Sequence, residues 1–361
     1  MNKRNIFMGT FEEPGTPRSL YDPPDEAEDL WFLPDPDDAL DIHDIPLPKV
    51  QNDPLVRPDE WIAAQGTHAA LLARAALAAG QLDMVVAGMG PDAGQGALER
   101  LALREVEALA WAAGTPISLE EIGRDQLQAR VTTDPRALQQ ARWAVRRLIA
   151  DGPTDDLRGF LGLHRVESQV VPRGLRGRIT GKEFDEAATE FWANLAALSD
   201  AHVFTQAAFA RYLWRLSELS AEEDHIEGAV WAAKRMAQGC LTLTFVPMGQ
   251  GARHPHGGGS EDLGSHFTAM EAGANSARIE LQRLTMWRDR ARDQTAFIKG
   301  TNPARIISAL VAKPMATTKM IEQAVGTSRD TAERLLARML EMGLVREVTG
   351  ASRFRIWAAK I

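Results

Sequence analysis

One cysteine, Cys240, stands among 361 residues. A lone thiol excludes an intrachain disulfide and fits a reducing compartment, so a cytoplasmic protein held by its apolar core is expected. The first ten residues lack the apolar run of a secretory leader. No stretch reads as a membrane span, and no membrane partner is expected. No Gly-Lys-Ser/Thr follows the glycines at 88, 90, 94 and 96, and no clear strand precedes them, so a nucleotide cradle there is set aside. His254, His256 and His266, with Glu261 and Asp262 near them, match no metal-ligand spacing. No catalytic residue, cofactor or metal is therefore expected.

What is present is an uneven distribution of charge. The chain carries −8 overall, but residues 1–57 hold 13 Asp/Glu against 5 Lys/Arg, and residues 299–361 hold 11 Lys/Arg against 5 Asp/Glu. The first segment also contains Pro14, Pro17, Pro23, Pro24, Pro34, Pro36, Pro46, Pro48 and Pro54. Such a stretch cannot sustain long helices and has little to bury, so it is expected to be a disordered acidic arm. Its apolar islands, 30–33 and 42–50, would dock on the same chain; the alternative is an arm that competes with DNA for a basic face.

Residues 58–298 repeat apolar positions at helical spacing and read as one α-helical domain. Asp59–Val86 is rich in Ala and Leu, Gly88–Gly96 is expected to be a glycine-rich loop, and Gly94–Ala113 opens the next helix. Ser118 with Glu121 and Thr180 with Glu183 fit the capping box, and Asp134-Pro135 fits a cap with proline at N1. Phe184, Phe191, Trp192, Phe204, Phe209 and Tyr212 are candidate core residues. The stretch 164–179 reads as a basic surface loop or hairpin, 241–246 as a β-prone break, and 249–264 as a disordered connector. A long Arg-rich helix over 267–298 follows, and it could pair two copies into a homodimer.

The segment 299–361 is the most specific. Asn302 is expected to cap a helix that starts on Pro303, and Pro314 stops it. Thr317 caps a second helix that Gly326 ends. Thr327 or Ser328 caps the third, whose buried stripe is Ala332, Leu335, Leu336, Met339 and Leu340. A β-hairpin follows from 344 to 358, with Trp357 as a core plug. Helix, helix, helix, hairpin within about sixty residues is the order of a winged helix-turn-helix. The candidate DNA-binding residues are Thr327, Ser328, Arg329, Thr331, Arg334 and Arg338 on helix 328–342, with Arg353 and Arg355 on the wing 344–358. Arginine forks suit guanine edges and phosphates alike. Arg353 and Arg355 alternate with Phe354 and Ile356 and should leave one face of the hairpin.

An ending such as Val345-Arg346-Glu347-Val348-Thr349-Gly350, followed by Arg353-Phe354-Arg355 and Trp357, resembles a bacterial family of uncharacterised function. That family is frequent on plasmids of plant-symbiotic bacteria and carries a C-terminal helix-turn-helix DNA-binding domain. The resemblance covers most of 60–361 and implies duplex DNA as the partner. The layout also resembles Fic-type adenylyltransferases, whose signature is His-Pro-Phe-x-x-Gly-Asn-Gly-Arg. Here only His254-Pro255 remains, followed by His256-Gly257-Gly258-Gly259, so the phosphate cradle is missing and that activity is set aside.

The expectation is thus a mainly α protein: an acidic arm over 1–57, a helical bundle body over 58–298, and a winged helix-turn-helix over 299–361. It would bind double-stranded DNA and regulate transcription. The alternatives are an enzyme with an unrecognised site in the body, and a scaffold whose winged helix binds protein.

Overall fold

The computed structural model describes residues 56–361 apart from 153, 168–176, 222, 223, 225, 250–258 and 351–353. Residues 1–55 of the acidic arm, and residues 250–258 with His254 and His256, lie outside the described residues; the end of the expected disordered connector is instead ordered, as a 3-10 turn over Gly259–Asp262 that leads into a long helix from Leu263 rather than from 267. The described residues belong to one compact unit, Leu55–Ile361.

The body is helical throughout. It comprises α1 (Pro58–Thr67), α2 (Ala69–Gly88), α3 (Pro91–Ala112), α4 (Leu119–Gln126), α5 (Pro135–Ile149), α6 (Leu157–Leu161), α7 (Leu163–Glu167), α8 (Gly181–Ala196), α9 (Val203–Leu216), α10 (Glu227–Met236) and α11 (Leu263–Thr295). Local chemistry sets several starts. Ser118 and Glu121 form the reciprocal capping box of α4, and Asp134 accepts from Ala137 N at 3.0 Å to cap α5. Thr180 makes no cap bond to α8; instead the Gly181 N–H donates to the Glu167 carboxylate at 2.8 Å.

The glycine-rich stretch 88–96 departs from expectation. α2 runs to Gly88 and α3 starts at Pro91, leaving Met89-Gly90 as the turn, with Gly90 at φ +80°. Gly94 and Gly96 are helical. A Cβ on Gly96 would stand 2.4 Å from the Ala312 carbonyl oxygen, so this glycine permits close helix packing rather than holding a phosphate. α2 corrects a second expectation, because it is long and apolar enough to cross a membrane by length and composition. Its Ala75, Ala78, Ala79, Leu82 and Val86 are buried, and α2 packs along α11.

The stretch 241–246 is not a strand. Its backbone donors go to a buried carboxylate: Asp83 accepts from Leu241 N (2.6 Å), Thr242 N (2.9 Å) and Leu243 N (2.9 Å), and from the Thr242 hydroxyl at 2.7 Å. Glu105 does the same further on, accepting from Met248 N and Gly249 N at 3.1 and 2.9 Å. Burial pushes the Glu105 pKa up, although those N–H groups and the nearby Arg211 pull the other way. Arg211 and His266 are buried in the same cluster. Arg178, read from sequence as part of a basic loop, is in a buried ion pair with Glu227 at 2.9 Å. The aromatics of α8–α10 form a cluster in the core, where Phe191, Trp214 and Trp231 meet edge to face or tilted, 5.5–5.9 Å apart.

The last residues fold as α12 (Asn302–Ala312), β1 (Ala316–Thr317), α13 (Thr318–Val325), α14 (Arg329–Glu341), β2 (Val345–Glu347) and β3 (Ile356–Ala359). The sheet is antiparallel in the order β1-β3-β2, with Thr317 opposite Ile356 and Glu347 opposite Trp357. Side chains alternate across a strand. On β3 this sends Trp357 and Ala359 into the core of this module and Ile356 and Ala358 into the core of the body. β3 is buried on both faces. Trp357 is fully buried and donates to the Thr318 hydroxyl at 3.0 Å.

The module's core is Ile306, Ile307, Leu310, Ile321, Val325, Leu336, Met339 and Trp357, joined by Leu284, Trp287 and Ala291 of α11. Trp287 donates to the Leu344 carbonyl at 2.7 Å. The module is also tied to α3. Pro314 has no N–H for the Leu310 carbonyl, the acceptor one helical turn earlier. The buried Arg100 supplies the donor from α3, bonding both that oxygen and Lys313 O, the latter at 2.9 Å.

Candidate nucleic-acid interface

α13, the turn 326–328 and α14 form the helix-turn-helix. Thr317 caps α13 through Met320 N at 3.2 Å, and Gly326 ends it at φ +70°. Ser328, rather than Thr327, caps α14, accepting from Thr331 N at 3.4 Å. Asn302 does not cap α12, which begins on that residue; its amide donates to the Thr327 hydroxyl at 3.3 Å. The predicted cap residue instead pins the turn in front of α14.

The buried stripe of α14 is Ala332, Leu335, Leu336 and Met339, while Leu340, expected in that stripe, is exposed. Arg329, Asp330, Arg334, Arg338 and Glu341 are exposed on its outer side. At about 100° per residue, Arg334 and Arg338 lie about 40° apart, and Arg329 about 140° from Arg334. The arginines therefore flank the exposed face rather than forming one strip. Arg329, 65% exposed, pairs with Glu333 on the same helix at 2.9 Å, which pushes its pKa further up. A pair so exposed contributes little and yields readily to a phosphate. Arg338 lies over the Phe297 ring, 4.7 Å from its centroid. Arg334 has no ion pair among the described residues.

Thr327 and Thr331 are half-buried beside this face, and Ser328 is exposed. Arg355 is exposed at the foot of β3, 6.0 Å from the Trp357 ring centroid. Arg353 lies outside the described residues. The expected alternation fails at Phe354, which has φ +58° and is 85% exposed instead of turning inward. β3 itself is buried on both faces, while Phe354 and Arg355, just before it, are described wing residues that stand exposed.

Part of the module's positive charge is taken up by carboxylates of the body. Lys313 pairs with Glu99 of α3 at 2.6 Å, and Arg346 pairs with Glu120 of α4. Sequence reasoning placed neither, because their partners lie more than two hundred residues earlier in the chain.

Residues 304–359 match the family model described as "HTH DNA binding domain". The chain carries a C-terminal helix-turn-helix DNA-binding domain. No curated protein matches the chain. Among solved structures, the chain is similar to a Fic family protein from Desulfovibrio desulfuricans G20, with a TM-score of 0.40 and 13% identity over 79% of this chain and 95% of that one. Within the helix-turn-helix domain, α14 occupies the position of the recognition helix, and its outer face is open.

Proposed function

We propose that the protein binds duplex DNA through α14 and regulates transcription. The observation that carries this reading is the exposure of α14: its N-terminal turn and Arg334 stand clear, while β3 is packed against the body. Ser328, Arg329 and Arg334 would reach base edges or flanking phosphates, and Thr327, Thr331 and Arg338 would fix the helix on the backbone. Arg353 and Arg355 would place the wing tip against a neighbouring groove. Such work puts the protein in the cytoplasm. A homodimer along α11 would present two copies of α14 to a palindrome; the exposed apolar residues available for that contact are Ile279 and Met286, seven apart on one helix face.

The test is a salt titration of duplex binding by the full chain, because α11 completes the core of the DNA-binding module. Wild type should lose affinity steeply as salt rises. Arg329→Ala/Arg334→Ala should bind about tenfold or more weakly, with a salt slope lower by about 1–2. Binding indifferent to salt, or a double variant equal to wild type, would remove α14 from the interface.

A further inference from the structure

A groove of about 680 Å³ runs between the start of α3, the last turns of α11 and the outer side of α12. Three guanidinium side chains line it: Arg288 and Arg292 of α11 and Arg305 of α12. Arg288 and Arg292 stand one helical turn apart, on one side of the helix. Arg305 sits at the point where the groove meets the helix-turn-helix, donating to the Val325 carbonyl at 3.0 Å, just before the turn into α14. Ala324 of α13 also lines the groove.

The charge is not fully compensated. Arg292 has no ion pair or hydrogen bond from its guanidinium among the described residues. Arg288 is held by Asp289, its sequence neighbour, in an exposed pair of the kind that contributes little. Asp92 also lines the groove, but it occupies the first turn of α3, where a carboxylate offsets the helix's own N-terminal dipole. The structure thus keeps three cations on an open surface of a chain whose net charge is −8. The rest of the lining is neutral and mostly small, Gly90, Ala93, Thr301, Ala304, Ser308 and Ala312 among them, with Met89 and Val311 as its larger apolar members. An open groove with three guanidinium groups and no aromatic in its lining suits a sugar-phosphate backbone better than a small molecule.

We propose that this groove carries the duplex backbone beyond the segment read by α14, with Arg288, Arg292 and Arg305 neutralising successive phosphates. The inference rests on the DNA-binding reading of α14 and extends it onto the body: α11 would be part of the interface, and the footprint would outrun the helix-turn-helix. The contacts are with phosphates, so they add affinity and salt dependence but no base preference.

The experiment compares full-length wild type with Arg288→Gln/Arg292→Gln, with the triple variant adding Arg305→Gln, and with Arg334→Ala. Binding to a random-sequence duplex of 30 base pairs is followed by fluorescence anisotropy across a salt series. Each phosphate contact contributes about 0.9 to the slope of log K against log salt. The double variant should lose about 2 from that slope, and the triple variant about 3. The double variant leaves the Arg305 bond to α13 intact, so a fold defect in the triple does not obscure the result. A double variant with the wild-type slope, beside an Arg334→Ala variant with a reduced one, overturns the groove proposal and leaves the α14 reading standing. Wild type that binds no duplex at all overturns both.

Discussion

Arg100→Met tests the joint between the body and the DNA-binding domain. Methionine keeps most of the buried stem and removes the donors that serve Leu310 O and Lys313 O. Bonds from a charged donor are worth about 1.5–3 kcal/mol each, so about 3–6 kcal/mol is lost. Burial of the guanidinium works in the opposite direction: it lowers the Arg100 pKa to about 10, well under the usual arginine range, although Glu280 and Glu99 pull it up. A fall of that size corresponds to about 3 kcal/mol of burial cost that the variant escapes. Two carbonyls are left without a donor at the end of α12, which keeps the balance on the unfavourable side. The expected net loss is about 2 kcal/mol, read by guanidinium denaturation with tryptophan fluorescence at pH 7. Trp287 and Trp357, both buried in the module's core, contribute to that signal beside the body's Trp61, Trp214 and Trp231. A variant within about 0.5 kcal/mol of wild type would show that the joint is held by apolar packing alone. A further variant, Gly96→Ala, drives a Cβ into the backbone of Ala312 at the same joint and should cost about 1–3 kcal/mol. The double variant should lose less than the sum, because both changes loosen one contact.

Asp83→Ala removes the acceptor of three backbone N–H groups and a hydroxyl, and should cost about 3–4 kcal/mol, seen as a fall in Tm. Burial alone would raise the Asp83 pKa, but those four donors lower it below 3.8; its contribution is present above that value and is lost as pH falls through the folded pKa. His266 is held well below 6.5 by burial and by Arg211, so its neutral form stabilises the fold above pH 6.5 and that contribution drains away on acidification. Between pH 6.5 and 5, wild-type stability should fall by up to about 1.4 kcal/mol per pH unit from this group, and His266→Leu should flatten the curve. Phe354→Ala should leave stability within about 0.5 kcal/mol, given its exposure, yet weaken duplex binding several-fold if the wing tip touches DNA; unchanged binding would take the ring out of the interface.

Helix starts were legible wherever the cap is local. Ser118, Asp134 and Thr317 each bond a backbone N–H within three residues, and that geometry is written in the spacing. Asn302 misled because its amide found a better partner 25 residues away, on Thr327. β1 is two residues long, too short to show alternation, and exists only because β3 returns beside it. The glycines of α3 looked like a loop because their purpose, closeness to Ala312, is a tertiary fact. Likewise 241–246 has strand composition, but the Asp83 carboxylate takes the N–H groups a sheet would need. At the interface, the basic character of the domain was visible, whereas the diversion of Lys313 and Arg346 toward Glu99 and Glu120 was not. The exposure of Phe354 depends on a left-handed backbone that no alternation pattern signals.

β3 is shared between two cores. Its odd positions belong to one partner and its even positions to the other, so four residues specify two interfaces at once. A slip of one residue would hand Trp357 to the body and Ile356 to the domain, reversing every assignment together. Bad register in so short a strand would therefore misplace α14 as a whole, so a strand far from that helix's exposed face fixes how the face is presented.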